Sequence, residues 1–157
     1  MKFGGFVMAG VISLTLATPA WACTLCSCLA STTGVSFGAY DPTSSSPKDG
    51  AGSITLSCTG VVSLAGTIVV AMSPGASGDA LSRQMAQASA RLNYNLYTDS
   101  SRMSIWGNGS GGTSTVSAPL NGLLTFSQTV PVYAQIPAHQ WVHAGPYVDT
   151  VIVTITY

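Results

Sequence analysis

Tyr147-Val-Asp-Thr-Val-Ile-Val-Thr-Ile-Thr-Tyr157 decides the fold class. In an extended chain, Tyr147, Val151, Val153, Ile155 and Tyr157 share one face, and Val148, Thr150, Ile152, Thr154 and Thr156 share the other. A two-residue period with dense β-branching is what a pleated, half-buried strand prefers, so a strand is expected across this whole run. Working back along the chain, Val130, Val132, Ala134 and Ile136 form another period-two set, and Leu92, Tyr94 and Leu96 alternate with Asn93 and Asn95. Thr67 to Ser73 is a fuller apolar run that suits a strand buried on both sides. Ser53 to Cys58 alternates strictly, placing Ile54, Leu56 and Cys58 on one face. Turn-forming clusters separate these runs at Asp41 to Pro47, Ser73 to Gly78 and Gly107 to Gly112, and Asn121-Gly122 reads as a tight hairpin turn. Asp79 to Ala90 contains a helix-like spacing of Ala80, Leu81, Met85, Ala86 and Ala88. Its all-β surroundings favour a loop followed by a strand. The whole pattern predicts an all-β domain, a sandwich or barrel.

Composition narrows the function classes. The chain has 157 residues, enough for one domain, and only 6% are charged, with no glutamate. Soluble domains carry about 25% charged residues. Here Ser, Thr, Asn, Gln and Gly must cover the surface, as in a neutral protein that assembles with others. Five basic and five acidic residues give zero formal charge, so no basic patch is expected to hold nucleic acid.

Residues 1–22 read as a secretory signal peptide. Lys2 supplies the positive start, Phe6 to Ala17 the apolar run, and Ala20-Trp21-Ala22 the small side chains of a cleavage site. The run is shorter than the roughly 20 residues a spanning helix needs. A lipoprotein would place its lipid on Cys23, but Ala20-Trp21-Ala22 lacks the pattern for it. The mature domain is therefore expected over residues 23–157, without a transmembrane segment. Its four cysteines, Cys23, Cys26, Cys28 and Cys58, suggest disulfides in an exported chain, and spacing leaves all three pairings open.

Catalytic groups are scarce. Asp41, Asp49, Asp79 and Asp99 lie in or beside turns, where carboxylates cap backbone amides. His139 and His143 flank a bend near Pro137, Gly145 and Pro146, and read as exposed loop residues rather than a metal pair. Cys23-Thr-Leu-Cys26 has the Cys-x-x-Cys spacing of redox proteins but no βαβ context. Trp106-Gly-Asn-Gly109 offers either an aromatic ligand platform or a tryptophan anchoring a glycine-rich loop on the core; the second reading is preferred. No catalytic, cofactor or metal site is expected.

Several stretches carry a resemblance. They are Cys28-Leu-Ala-Ser-Thr-Thr-Gly-Val-Ser-Phe-Gly-Ala-Tyr-Asp-Pro42, Gly52-Ser-Ile-Thr-Leu-Ser-Cys58, Arg83-Gln-Met85, Leu92-Asn-Tyr-Asn-Leu-Tyr-Thr-Asp99 and Trp106-Gly-Asn-Gly109. Val132-Tyr-Ala-Gln-Ile-Pro137, Gln140 and Gly145 through Tyr157 complete the set. In this order they resemble the spore coat protein U domain family, which includes subunits of archaic chaperone–usher pili. The resemblance implies an immunoglobulin-like antiparallel β-sandwich lacking its last strand, with a hydrophobic groove beside the C-terminal strand. A periplasmic chaperone would fill the groove first, and a neighbouring subunit's strand would replace it at an outer-membrane usher. The resemblance also implies a Cys28–Cys58 disulfide, leaving Cys23 and Cys26 to pair with each other, stay free or link chains.

On this reading Val151, Val153 and Ile155 form the strand-docking edge, uncovered because the chain ends at Tyr157. The protein is then an exported, non-catalytic subunit of a surface fibre or coat. The alternatives are a surface-binding adhesin module and a periplasmic enzyme. One departure bears on its place in a fibre. Subunits of this kind carry an alternating donor strand before the first family cysteine, whereas residues 23–27 contain one large aliphatic side chain, Leu25. The chain is expected to accept a strand without donating one, as a tip or capping subunit would.

Overall fold

The computed structural model describes residues 26–157, with the backbone alone for residues 26, 61–65 and 121–123. The expected signal peptide and the Cys23–Cys26 pairing fall outside the described residues. Seven strands follow in order: β1 (Cys26–Ser36), β2 (Lys48–Met72), β3 (Gln84–Gln87), β4 (Ala90–Asn93), β5 (Asn95–Tyr97), β6 (Val116–Ile136) and β7 (Val153–Thr156). One 3-10 turn at Gly75–Ser77 interrupts them. Every strand pairing is antiparallel.

Two long strands organise the sandwich. β2 and β6 run side by side from Lys48 opposite Ile136 to Val70 opposite Val116. Midway the register slips: Thr59 faces Thr125 and Ser63 faces Leu123, so β2 bulges there. Leu124, the β6 residue at the slip, takes a left-handed φ of 70°. The bulge divides the ribbon into two halves. The first half of β2 also pairs with β1, and the second half pairs with β7. β5 pairs with the last part of β6, and β3 with β4 makes a separate two-stranded sheet.

The alternation seen in the sequence defines the core. Ile54, Leu56 and Cys58 of the first half are each 1% exposed, and Ile68, Val70 and Met72 of the second half join them in one cluster. Val130, Val132, Ala134 and Ile136 of β6 close it, with Met85, Leu92, Tyr94 and Leu96 beside them. Each fully buried side chain of this size contributes roughly 1.5–3 kcal/mol. The Asp79–Ala90 stretch forms turns and strand, as its surroundings favour, rather than helix.

Four local expectations are corrected. Asn121-Gly122 is not a turn: it lies inside β6, opposite Ala65 and Leu64. A continuous partner strand satisfies its backbone, so the Asn-Gly pair has no hairpin to close. Thr67 to Ser73 buries one face only; Val69 and Ala71 are half-buried and Thr67 is exposed, because among the described residues its strand neighbours, β6 and β7, pair with it edge-on through the backbone rather than covering its second face. Asp49 lies on β2, not in a cap, where its carboxylate pairs with Arg102 at 2.8 Å and accepts from Gln135 Nε2 at 2.9 Å. The C-terminal strand is shorter than its alternation suggests. Before Val153 the backbone bonds elsewhere: Val148 bridges Ala86 in both directions, and Ser73 holds both the Ile152 amide and its carbonyl.

A buried arginine ties the layers together. Arg83 is 0% exposed. Its guanidinium donates to the carbonyls of Ser73, Ala80 and Trp106 and to Asn95 Oδ1, over 2.7–3.2 Å. Trp106, also 0% exposed, donates from Nε1 to the Val70 carbonyl at 2.9 Å. The indole therefore anchors the glycine-rich loop on the core, and no ligand platform forms there.

A candidate strand-docking groove

β1 and β7 each pair with β2 on one side only, so each turns an edge outward among the described strands. Between them runs an apolar trough with two connected widenings. The first, a cavity of about 390 Å³, has Thr32, Thr33, Gly34 and Val35 on one wall and Tyr147 through Val151 with Val153 on the other. Its floor is core: Ile54, Met72, Met85, Leu96 and Val132. The second, about 600 Å³, continues between Val35–Tyr40 and Val142–Tyr147, over Leu92 and Ile136.

Val151 and Val153, expected at a docking edge, line the first cavity, and Ile155 is half-buried against the same core. On the opposite face Ile152 is 65% exposed, and Thr154 and Thr156 are exposed. The alternation thus sorts the C-terminal segment through Thr156, even where its backbone leaves the β2 ladder, but Tyr157, expected on the core side, is exposed. The other wall, Thr32 to Tyr40, is not expected from the pattern of the C-terminal segment. Its signal was the alternation of Val35 and Phe37 within Val35-Ser-Phe-Gly-Ala-Tyr40.

Polar contacts fix both walls. Asp149 accepts from the Tyr94 hydroxyl at 2.7 Å and from the Ala76 amide at 2.9 Å. A Cβ on Gly75, whose φ is 75°, would overlap the Asp149 carboxylate, so glycine is required at that contact. Burial first, then the bond to Asp149, pushes the Tyr94 phenol well above its ordinary range, and it stays a neutral donor. On the other wall Tyr40 donates to the Pro137 carbonyl and accepts from the Gln140 amide, both at 2.9 Å. Gln140 in turn pairs with the backbone of Asn93, accepting from its amide and donating to its carbonyl.

The Cys28 and Cys58 side chains form a disulfide between directly opposed residues of β1 and β2, with Cα atoms 4.0 Å apart. It ties β1, and with it one wall of the trough, to the core. His139 and His143 are exposed on the loop after β6, and His143 lines the second cavity. Among the described residues no three His, Cys, Asp or Glu side chains gather closely enough to hold a metal ion. No helix of the described residues is long and apolar enough to cross a membrane. Asp41, Asp79 and Asp99 do cap turns, through the amides of Thr43, Leu81 and Ser104.

Comparison with known proteins agrees with this architecture. Residues 12–154 match the family described as the Spore Coat Protein U domain. Protein U of Myxococcus xanthus is 36% identical over 132 residues, covering 78% of this chain and 71% of that protein. A solved structure of the CsuC–CsuE chaperone–tip adhesion subunit pre-assembly complex, from archaic chaperone-usher Csu pili of Acinetobacter baumannii, aligns with a TM-score of 0.56 at 24% identity. That alignment covers 85% of this chain but 40% of the solved one, and it shows a shared immunoglobulin-like sandwich fold. By the extent of its family match and its identity to Protein U, the chain belongs to the Spore Coat Protein U domain family.

Proposed function

We propose that this protein is an exported subunit of a surface fibre or coat that is completed by a strand from another protein. The trough between the outward edges of β1 and β7 carries this reading. It has an apolar floor and a backbone edge on each side, which together suit an added strand: main-chain bonds hold it and its alternate side chains finish the core. An edge left uncovered beside apolar surface invites aggregation. A periplasmic chaperone is the expected first occupant, with an outer-membrane usher exchanging it for a neighbouring subunit. The membership in the family and the likeness to a subunit solved with its chaperone support this route.

Residues 1–22 act as the export signal on this reading, and residues 23–157 form the working domain. No catalytic role is assigned. Residues 23–27 hold one large aliphatic side chain, Leu25, too few to compete for a groove in which each buried side chain is worth roughly 1.5–3 kcal/mol. The chain therefore accepts a strand without donating one, which fits a tip or capping position. The test is to mix the chaperone-bound chain with itself. It should stay unpolymerised, and form capped dimers only with a second subunit that carries a long alternating N-terminal strand. Homopolymers that vanish on deletion of residues 23–27 would overturn this polarity.

An adhesin reading has one observation in its favour. His139, Trp141 and His143 alternate outward from the loop that Gln140 clamps to Asn93, and Trp141 is 75% exposed. Trp141→Ala should leave assembly intact under either reading, and should reduce surface attachment only if the loop binds.

A further inference from the structure

Phe37 stands where the two widenings of the trough meet. It lines both, as do Val35, Met85 and Tyr147. Its ring lies on Gly50, where an added Cβ would come within 2.6 Å of its Cδ1. It also meets Tyr94 edge to face, with centroids 6.0 Å apart and planes at 74°. Tyr94 is itself held by Asp149 at 2.7 Å. On the facing wall the Tyr147 hydroxyl donates to the His143 carbonyl at 2.9 Å, fixing the second ring. Two aromatic side chains, one packed on Gly50 and Tyr94 and one hydrogen-bonded, thus stand where the two cavities share their lining, together with Met85.

Resting on the strand-acceptor reading, we infer that Phe37 is a specificity-determining divider: it selects a strand with a small residue at one apolar position and bulky residues on either side. Same-face side chains on a strand recur about every 6.6 Å, so neighbouring apolar positions can drop into the cavities of about 390 and 600 Å³ while the middle one passes over the ring. A large middle side chain would have to displace a ring confined by Gly50 and Tyr94, and interiors packed this closely resist such displacement. The charge pattern agrees with an apolar occupant. Among the described residues Asp149 is the one acidic side chain lining either cavity, so an acidic residue on the incoming face would meet like charge there.

The test uses the purified chain and two fluorescently labelled synthetic peptides that alternate Leu and Thr, one with Ala and one with Phe at the central apolar position. The Phe-centred peptide presents a bulky side chain in every register, so slippage cannot rescue it. The wild-type chain should bind the Ala-centred peptide about tenfold or more tightly, a ratio within reach of a misfitting apolar group. Phe37→Ala should reverse the preference, and Phe37→Leu, which keeps more of the packing on Gly50, should fall between. Should Phe37→Ala fail to fold, the wild-type ratio and Phe37→Leu still decide. Equal binding of both peptides to the wild type overturns the divider while leaving the groove standing. No binding of either peptide overturns the groove and the divider together.

Discussion

Replacing Arg83 with methionine keeps much of its volume but removes every donor. The carbonyls of Ser73, Ala80 and Trp106 and the side-chain oxygen of Asn95 would each lose a partner. A buried acceptor left unmatched costs about 1–3 kcal/mol. Arg83→Met should therefore destabilise the fold by at least about 3 kcal/mol in urea titration. Arg83→Lys should not restore it, because an ammonium cannot reproduce the planar fork. This role is not legible in the pattern, because arginine is rarely fully buried and nothing around Arg83-Gln-Met85 marks an inward-facing cation. The turn aspartates were easier to read. The Ser101 hydroxyl first, then the Ser104 amide, hold the Asp99 carboxyl at about 2 against its ordinary 3.8, and Asp41 and Asp79 are lowered by similar bonds. A carboxylate with a depressed folded pKa lends stability that is present above its unfolded value and lost as pH falls through its folded one. Melting temperature should be flat from neutral pH to about 5 and fall below about 4, and Asp99→Asn should make that fall shallower.

β7 shows how far a strand pattern can be read. The alternation from Tyr147 to Thr156 separates the core side from the exposed side, because side-chain direction is local to an extended backbone, and it fails at Tyr157, which is exposed. It does not say which neighbour takes the backbone bonds. Those fall to Ala86, Ser73 and β2 in turn, a matter of distant packing. Asn121-Gly122 departs from its expected turn for the same reason: its partner strand is distant in sequence. Val153→Asp places an unpaired carboxylate against the apolar floor and should abolish chaperone capture in periplasmic pull-downs. Thr154→Asp, one residue away and exposed, should leave capture intact; equal loss in both would place the docking face elsewhere. The β1–β2 disulfide makes a separate case. Cys28 and Cys58 are 30 residues apart, and closing such a loop stabilises by roughly 3–4 kcal/mol in the chain-entropy account. Replacing both by serine should lower the unfolding free energy by that amount in denaturant titration, and loosen the β1 wall of the trough.

At the scale of the molecule, the β-sandwich and its core were legible because four alternating runs and few charges leave little else for the chain to form. The trough was legible only by half. The C-terminal wall follows from one segment's pattern, whereas the other wall depends on how β1 and the turn after it lie against β2, over residues far apart in sequence. Both outward edges should receive one incoming strand. Amide hydrogen exchange on the chain alone and bound to its periplasmic chaperone tests this directly. Binding should slow exchange in Cys26–Ser36 and Val153–Thr156 together, with Ser53–Cys58 already protected in both states. A complex that forms while both edges exchange as fast as in the free chain would contradict it.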